Sequence, residues 1–278
     1  MNRQFTRYRY FSCTVVLFSL ILSCQGITNA LRPLLISEED EIKLGNSFKA
    51  QILSDTREYP QYNRNQAVIR FVDSVGQYLA SVQDERPNLP FTFTILDKDD
   101  EINAFAIPGG HVFVYTGLLR NIQSTSELAG VLAHEIAHIT LYHGVNKMVQ
   151  GEALNLVNTI LFGSDSTSIA GAIASLVESL AFLRLSRNDE YDADKYAVRY
   201  TTDAKINPVG MKHFLEFLRD KYGEEPKVFE PLSTHPRTSD RINDIEKEIS
   251  KISGAPKDDT SLLYKEEYQK IKKLLSQG

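Results

Sequence analysis

Residues 124–138 read Ser124-Thr-Ser-Glu-Leu-Ala-Gly-Val-Leu-Ala-His-Glu-Ile-Ala-His138, and this stretch decides the fold. Ser124 followed by Glu127 fits a capping box, and Leu128, Val131, Leu132 and Ile136 recur at helical spacing. On that helix His134 and His138 leave the same face, about 6 Å apart along the axis. The spacing lets two imidazole nitrogens meet one zinc ion at about 2.0–2.1 Å. Glu135, beside the first histidine, is placed to take a proton from a water that the metal activates. A chance pentapeptide on an ordinary helix is the alternative. It is disfavoured because two histidines and a glutamate on an apolar helix are costly to desolvate without a site to serve.

A catalytic zinc needs a third protein ligand and one open position. A further histidine six residues after His138 would suit, but that place is Gly144, and Leu141 stands where such an arrangement has glycine. His143 lies five residues past His138. On a continuing helix it points about 140° away and reads as a packing or hydrogen-bonding residue. The better source is Ser186-Arg-Asn-Asp-Glu-Tyr-Asp-Ala-Asp194, where Glu190 and Asp194 share a helical face. One carboxylate could bind metal while the other accepts the free ring N–H of a ligand histidine. Asp189 and Asp192 point elsewhere, and a solvated acidic face is the competing reading.

Around these segments the chain reads as α+β and mostly α. Ser37 followed by four acids opens a helix to about Asp55, the acids suiting its positive end. A second amphipathic helix covers about 65–83. The β-rich part is short: Phe91 to Ile95 alternates, and Ala104–Ile107 and His111–Tyr115 flank Pro108-Gly109-Gly110 as a hairpin. A strand beside a metal cleft can pair with an extended polypeptide through Asn103, Ala104, Phe105 and Ala106, or serve the fold alone. His111 reads as structural. Residues 153–185 are apolar, interrupted by Asp165 and Glu178, and read as core helices covering the active helix, with an exposed flap contacting lipid or an outer-membrane client as the alternative. Residues beyond 262 form a final helix packed back on the domain.

Four blocks together resemble a known family: Asn103-Ala-Phe-Ala-Ile-Pro-Gly-Gly, Val131-Leu-Ala-His-Glu-Ile-Ala-His, Ser186 to Asp194, and Ser233-Thr-His-Pro. The chain resembles the HtpX/Oma-type zinc metallopeptidases, gluzincins related to the CaaX prenyl endopeptidases, over about residues 37–275. The resemblance implies a zincin-like domain with a small hairpin beside the active helix. It implies one Zn2+ held by His134, His138 and Glu190, with Glu135 as base and Asp194 orienting a ligand. It further implies hydrolysis of peptide bonds within proteins, and for the exported branch, misfolded or misassembled envelope proteins as substrates. A chaperone or binding module using the same cleft without cleavage is the alternative. His235 precedes Pro236 and so sits on a turn. It could latch the open zinc position, donate to an oxyanion, or only cap and pack the next helix.

The N-terminus carries Arg3, Arg7 and Arg9, then an apolar run of 13 residues from Phe11 to Ser23. That run suits an export signal and falls short of the roughly 20 residues a spanning helix needs. Ile21-Leu-Ser-Cys24 looks like a lipobox, so Cys24 is the expected lipidation site, with ordinary cleavage or a retained anchor as alternatives. Residues 1–23 then form a signal peptide, 24–36 a tether and 37–278 the peptidase domain. The expected location is the periplasmic face of the outer membrane, held there by the lipid. The whole chain has 31 basic and 36 acidic residues; without residues 1–23 the balance is 28 to 36. An acidic exported chain with two cysteines excludes a disulfide framework and gives no footprint for nucleic acid.

Overall fold

The computed structural model describes residues 35–149, 153–180, 185–223, 238–252 and 264–277. Helix α1 (Glu38–Ser54) is capped by Ser37, whose side chain accepts from the Asp40 N–H, and α2 (Gln66–Val82) is capped by Asn65. Both lie where hydrophobic spacing predicts them. Strands β1 (Thr92–Leu96), β2 (Ala104–Ile107) and β3 (His111–Tyr115) follow. They make one sheet in the order β1-β3-β2: β1 runs parallel to β3, and β2 pairs antiparallel with it, Ala104 opposite Val114 and Ile107 opposite His111. The predicted hairpin is therefore present, and β2 is an edge.

The sheet is buried on both faces, which is why every residue of β3 is buried. Ile95, Val112, Val114 and Ala104 pack into a large cluster with the helices that follow. Leu96, Ile107, Phe113 and Tyr115 face a second cluster with Leu44, Phe48 and Ile52 of α1. The short α3 (Thr116–Asn121) leads into α4 (Thr125–Thr140), all 16 residues of which are buried. Its start differs slightly from the expected box. Ser124 Oγ accepts from the Glu127 N–H, but the Glu127 carboxylate reaches back to the N–H of Gln123 rather than to that of Ser124.

Helices α5 (His143–Met148), α6 (Ala153–Phe162) and α7 (Ser166–Leu180) follow α4. The expectation that α6 and α7 cover the active helix is corrected. Val157 and Leu176 bury in the second cluster, against α1 and the outer face of the sheet, and Phe162 at the turn is 73% exposed. Helix α8 (Arg187–Asp203) opens with a full capping box between Ser186 and Asp189. It and α9 (Val209–Tyr222) pack on α4, where Gly130 admits the backbone of Met211: a Cβ there would sit 2.6 Å from the Met211 nitrogen. Helix α10 (Thr238–Lys251) packs on α8 and α9, and α11 (Lys265–Ser276) returns to α2 and α3. There the Tyr268 hydroxyl donates to the Leu119 carbonyl at 2.7 Å. Among the described residues no helix is long and apolar enough to cross a membrane.

Candidate metal centre

Helix α4 presents His134 and His138 from one face, with their Nε2 atoms 2.9 Å apart. Helix α8 crosses beside them and brings the Glu190 carboxylate 3.5 Å from His134 Nε2 and 3.6 Å from His138 Nε2. The three ligand atoms lie within 4.8 Å of one another, and all three residues are buried. Ligands about 2.0–2.1 Å from one tetrahedral ion stand roughly 3.3 Å from each other, so two nitrogens and a carboxylate oxygen at these separations fit a divalent ion. Glu135 is buried next to them at 4% exposure.

Asp194, one turn beyond Glu190, lies 2.9 Å from His134 Nδ1. A carboxylate there takes the proton on Nδ1 and leaves Nε2 as the metal-facing lone pair. Burial and the nearby Arg241 both act to lower the His134 pKa, but Asp194 and Glu190 outweigh them and raise it to about 9. A bound cation takes the place of that proton.

His138 is supported by His143. The predicted direction for His143 is overturned because α4 ends at Thr140 and Tyr142 takes a left-handed conformation (φ 61°). The break returns the His143 ring to His138, Nδ1 to Nδ1 at 2.8 Å, with its own Nε2 3.8 Å from Asp189 Oδ1. Burial pushes the His143 pKa down to about 4, partly offset by Asp189, so it is neutral at pH 7. A neutral His143 can accept the Nδ1 proton of His138, again freeing Nε2 for metal. The residue is a hydrogen-bonding neighbour and stands outside the ligand set.

Arg241 is the residue that the sequence reading misses. From the first turns of α10 its Nε donates to Asp194 Oδ2 and its Nη2 to Asp194 Oδ1, both at 2.7 Å. Its Nη1 lies 3.1 Å from Glu190 Oε2. Burial opposes its charge, yet Asp194 and Glu190 hold its pKa above the ordinary arginine value. Burial likewise acts to raise the Asp194 pKa, and Arg241 with His134 reverses the effect, keeping the carboxylate ionised.

The edge strand runs alongside. The Tyr115 N–H donates to the Asn103 carbonyl, so residues 103, 105 and 107 turn their backbone groups toward β3. Ala104 and Ala106 therefore turn theirs outward, to an edge with which no other strand pairs among the described residues. Asn103 and Ala104 line a recess of about 30 Å³ with His134, Glu135, Met211 and Leu215. On the other side of Glu190 and Asp194 lies a larger, polar groove of about 330 Å³ bordered by Arg187, Asp240 and Lys247. Phe105 points to the opposite face of the sheet and stacks on Phe113 at 4.9 Å. Cys24 and His235 lie outside the described residues.

The sequence profile of peptidase family M48 matches residues 67–249. The chain belongs to that family. Among curated relatives, the beta-barrel assembly-enhancing protease of Escherichia coli K12 is 29% identical over 218 residues, covering 75% of this chain and 44% of the relative. A Vibrio cholerae O1 relative, named a putative beta-barrel assembly-enhancing protease, is 36% identical over 185 residues, or 63% of this chain and 37% of its own length. The mitochondrial metalloendopeptidase OMA1 of Bos taurus is 29% identical over 227 residues, 77% of this chain and 42% of that protein. The chain thus spans less than half the length of the relatives it matches. Within this M48 chain His134, His138 and Glu190 are the residues that could hold a metal ion.

Proposed function

We propose that this M48 protein is a zinc endopeptidase of the bacterial envelope that cleaves extended segments of misfolded or misassembled proteins. The observation that carries the reading is Glu135 beside the His134, His138 and Glu190 cluster, with Asn103 and Ala104 of the β2 segment lining the same recess. Two imidazoles and one carboxylate are a donor set that suits zinc. When bound, the metal supplies Lewis-acid polarisation of a carbonyl and a lowered pKa for water.

The chain's own residues do the rest. Ala104 and Ala106 offer outward N–H and C=O groups to an extended substrate, as an added strand requires. The recess beside Glu135 is small, and its walls are apolar at Leu118, Val131 and Leu215. Glu135 accepts the proton of the attacking water and delivers it to the leaving amine nitrogen. Asp194 and His143 hold the two histidines in the tautomers that keep Nε2 free. Residues 1–23 direct export in this reading, and lipidated Cys24 gives attachment to the membrane, each buried methylene adding about 0.8 kcal/mol. The name of the Escherichia coli relative supports substrates connected with β-barrel assembly.

Glu135→Gln tests the assignment, because an amide preserves shape but cannot take the proton. Casein hydrolysis by the variant should fall about 10²- to 10⁴-fold with zinc content unchanged. Turnover close to wild type would remove Glu135 from the role of base. A wild-type protein that binds unfolded casein without ever cleaving it would favour the chaperone reading.

A further inference from the structure

A second buried ionic group lies away from the metal. Glu41 is the last of the four acids that open α1, and Arg86 lies in the loop after α2; neither belongs to the metal helix or the hairpin. Both are buried, with 2% and 3% of their surface exposed. The Arg86 backbone is held in place by Gln83, whose side chain accepts from the Arg86 N–H and donates to its carbonyl, both at 2.8 Å.

From that anchor the guanidinium reaches three elements. Nη1 donates to Glu41 Oε1 at 2.9 Å and to the Ile139 carbonyl at 3.2 Å. Ile139 is in the last turn of α4, where its carbonyl also accepts the Tyr142 N–H at 3.0 Å and a cation meets the negative end of the helix. The guanidinium carbon also lies 4.1 Å from the centre of the Tyr142 ring, at the turn that delivers His143 to His138. Nη2 lies 3.3 Å from the half-exposed Glu38. Glu41 Oε1 in turn accepts the N–H of Gly109 at 3.1 Å, in the turn between β2 and β3. That turn rests directly on α1: a Cβ on Gly109, which has φ +80°, would stand 3.3 Å from the Gly45 Cα.

We propose that Glu41 and Arg86 are positioning residues of the hydrolytic site, a buried pair that fixes the edge strand β2 relative to the metal helix α4. The inference rests on β2 as the substrate-pairing edge. Stability alone gives no reason for the pair, since apolar residues of similar volume often replace buried ion pairs without loss. What apolar residues lack is directed donors and acceptors. Here those groups tie the backbone of the hairpin turn to the backbone at the end of α4, across two side chains. A shift of either end would move Ala104 and Ala106 against Glu135.

The test uses the full-length zinc enzyme and two substrates: a long peptide able to pair with Ala104 and Ala106, and a short blocked peptide spanning only the scissile bond. Arg86→Lys keeps a charge but cannot reach Glu41, Ile139 and Tyr142 together; Glu41→Gln with Arg86→Met removes both charges and guards against misfolding. Because misplacement by 1 Å can cost about 10²-fold, kcat/KM on the long peptide should fall about 10- to 100-fold, mostly through KM. The short peptide and the zinc content should stay near wild type. Wild-type kinetics on the long peptide in both variants would overturn the proposal, as would parallel loss on both substrates tracking a fall in Tm. Ala104→Pro separates the two readings, because it deletes an edge N–H outside the sheet's own bonding. An unchanged KM for the long peptide in that variant refutes pairing at β2 and the inference resting on it. A raised KM there, with wild-type Arg86 variants, refutes the positioning role alone.

Discussion

Arg241 shows what a buried cation does beside the two carboxylates of a candidate metal centre. Its fork holds Asp194 through two bonds of 2.7 Å and reaches Glu190 at 3.1 Å. Arg241→Met leaves both carboxylates without that partner, a break that typically costs about 3–5 kcal/mol when the group is buried. A protein of this size then loses roughly 10 °C in Tm. The loss should be larger in chelator than in zinc, because the ion neutralises part of the same charge; equal losses in both melts would show that Arg241 acts independently of the site. In sequence, Arg241 is one basic residue on an amphipathic helix, 47 residues past Asp194, and no local spacing marks it. The shared face of His134 and His138, and that of Glu190 and Asp194, were legible from i, i+4 spacing on two helices, whereas the choice of Glu190 over Asp194 as the metal-facing carboxylate came only from the family resemblance. His143 was legible only as a hydrogen-bonding residue, since the left-handed turn at Tyr142 uses no glycine to announce it.

At the scale of elements, the helices and the hairpin follow from periodicity and from Pro108-Gly109-Gly110, whereas the contacts between elements do not. The acids of α1 read as charges at a helix start, yet Glu41 is buried on Arg86 and Gly109. Helix α1 carries a second polar contact. His111 of β3 meets Thr92 Oγ1 at 2.8 Å and Asn46 Oδ1 at 3.1 Å, and the Lys49 ammonium donates to Thr92. Burial, with Lys49 nearby, lowers the His111 pKa to about 4. In the unfolded chain it titrates near 6.5. As pH falls from about 6.5 to 4, the unfolded chain therefore takes up a proton that the folded one refuses. The stability contribution of His111 is full above that window and declines through it. Replacing His111 with Gln should flatten this part of the acid dependence. Melting curves at pH 7.5, 5.5 and 4.5 measure it: the gap in Tm between wild type and variant should shift against wild type on acidification. A gap independent of pH would mean that the histidine charges readily in the folded protein.

For the whole molecule, the issue is how much of the fold depends on the metal. Small zinc domains draw their folding energy from the ion and unfold in chelator. Here α4 is buried along its full length, and the helices supplying His134, His138 and Glu190 already pack in one large apolar cluster. Arg241 offsets the carboxylates that the ion would otherwise balance, and the protonated His134, with its pKa raised to about 9, adds a second positive charge when metal is gone. Stripping the metal should therefore abolish proteolysis while leaving the far-UV circular dichroism of the helices intact. The cost is the binding term alone, about 2.7 kcal/mol at a hundredfold excess over Kd, or roughly 5–10 °C in Tm. Zinc added back should restore both activity and Tm. A collapse of the helical signal in chelator would show instead that the ion holds α4 and α8 together and that the charge balance around Arg241 does not suffice without it.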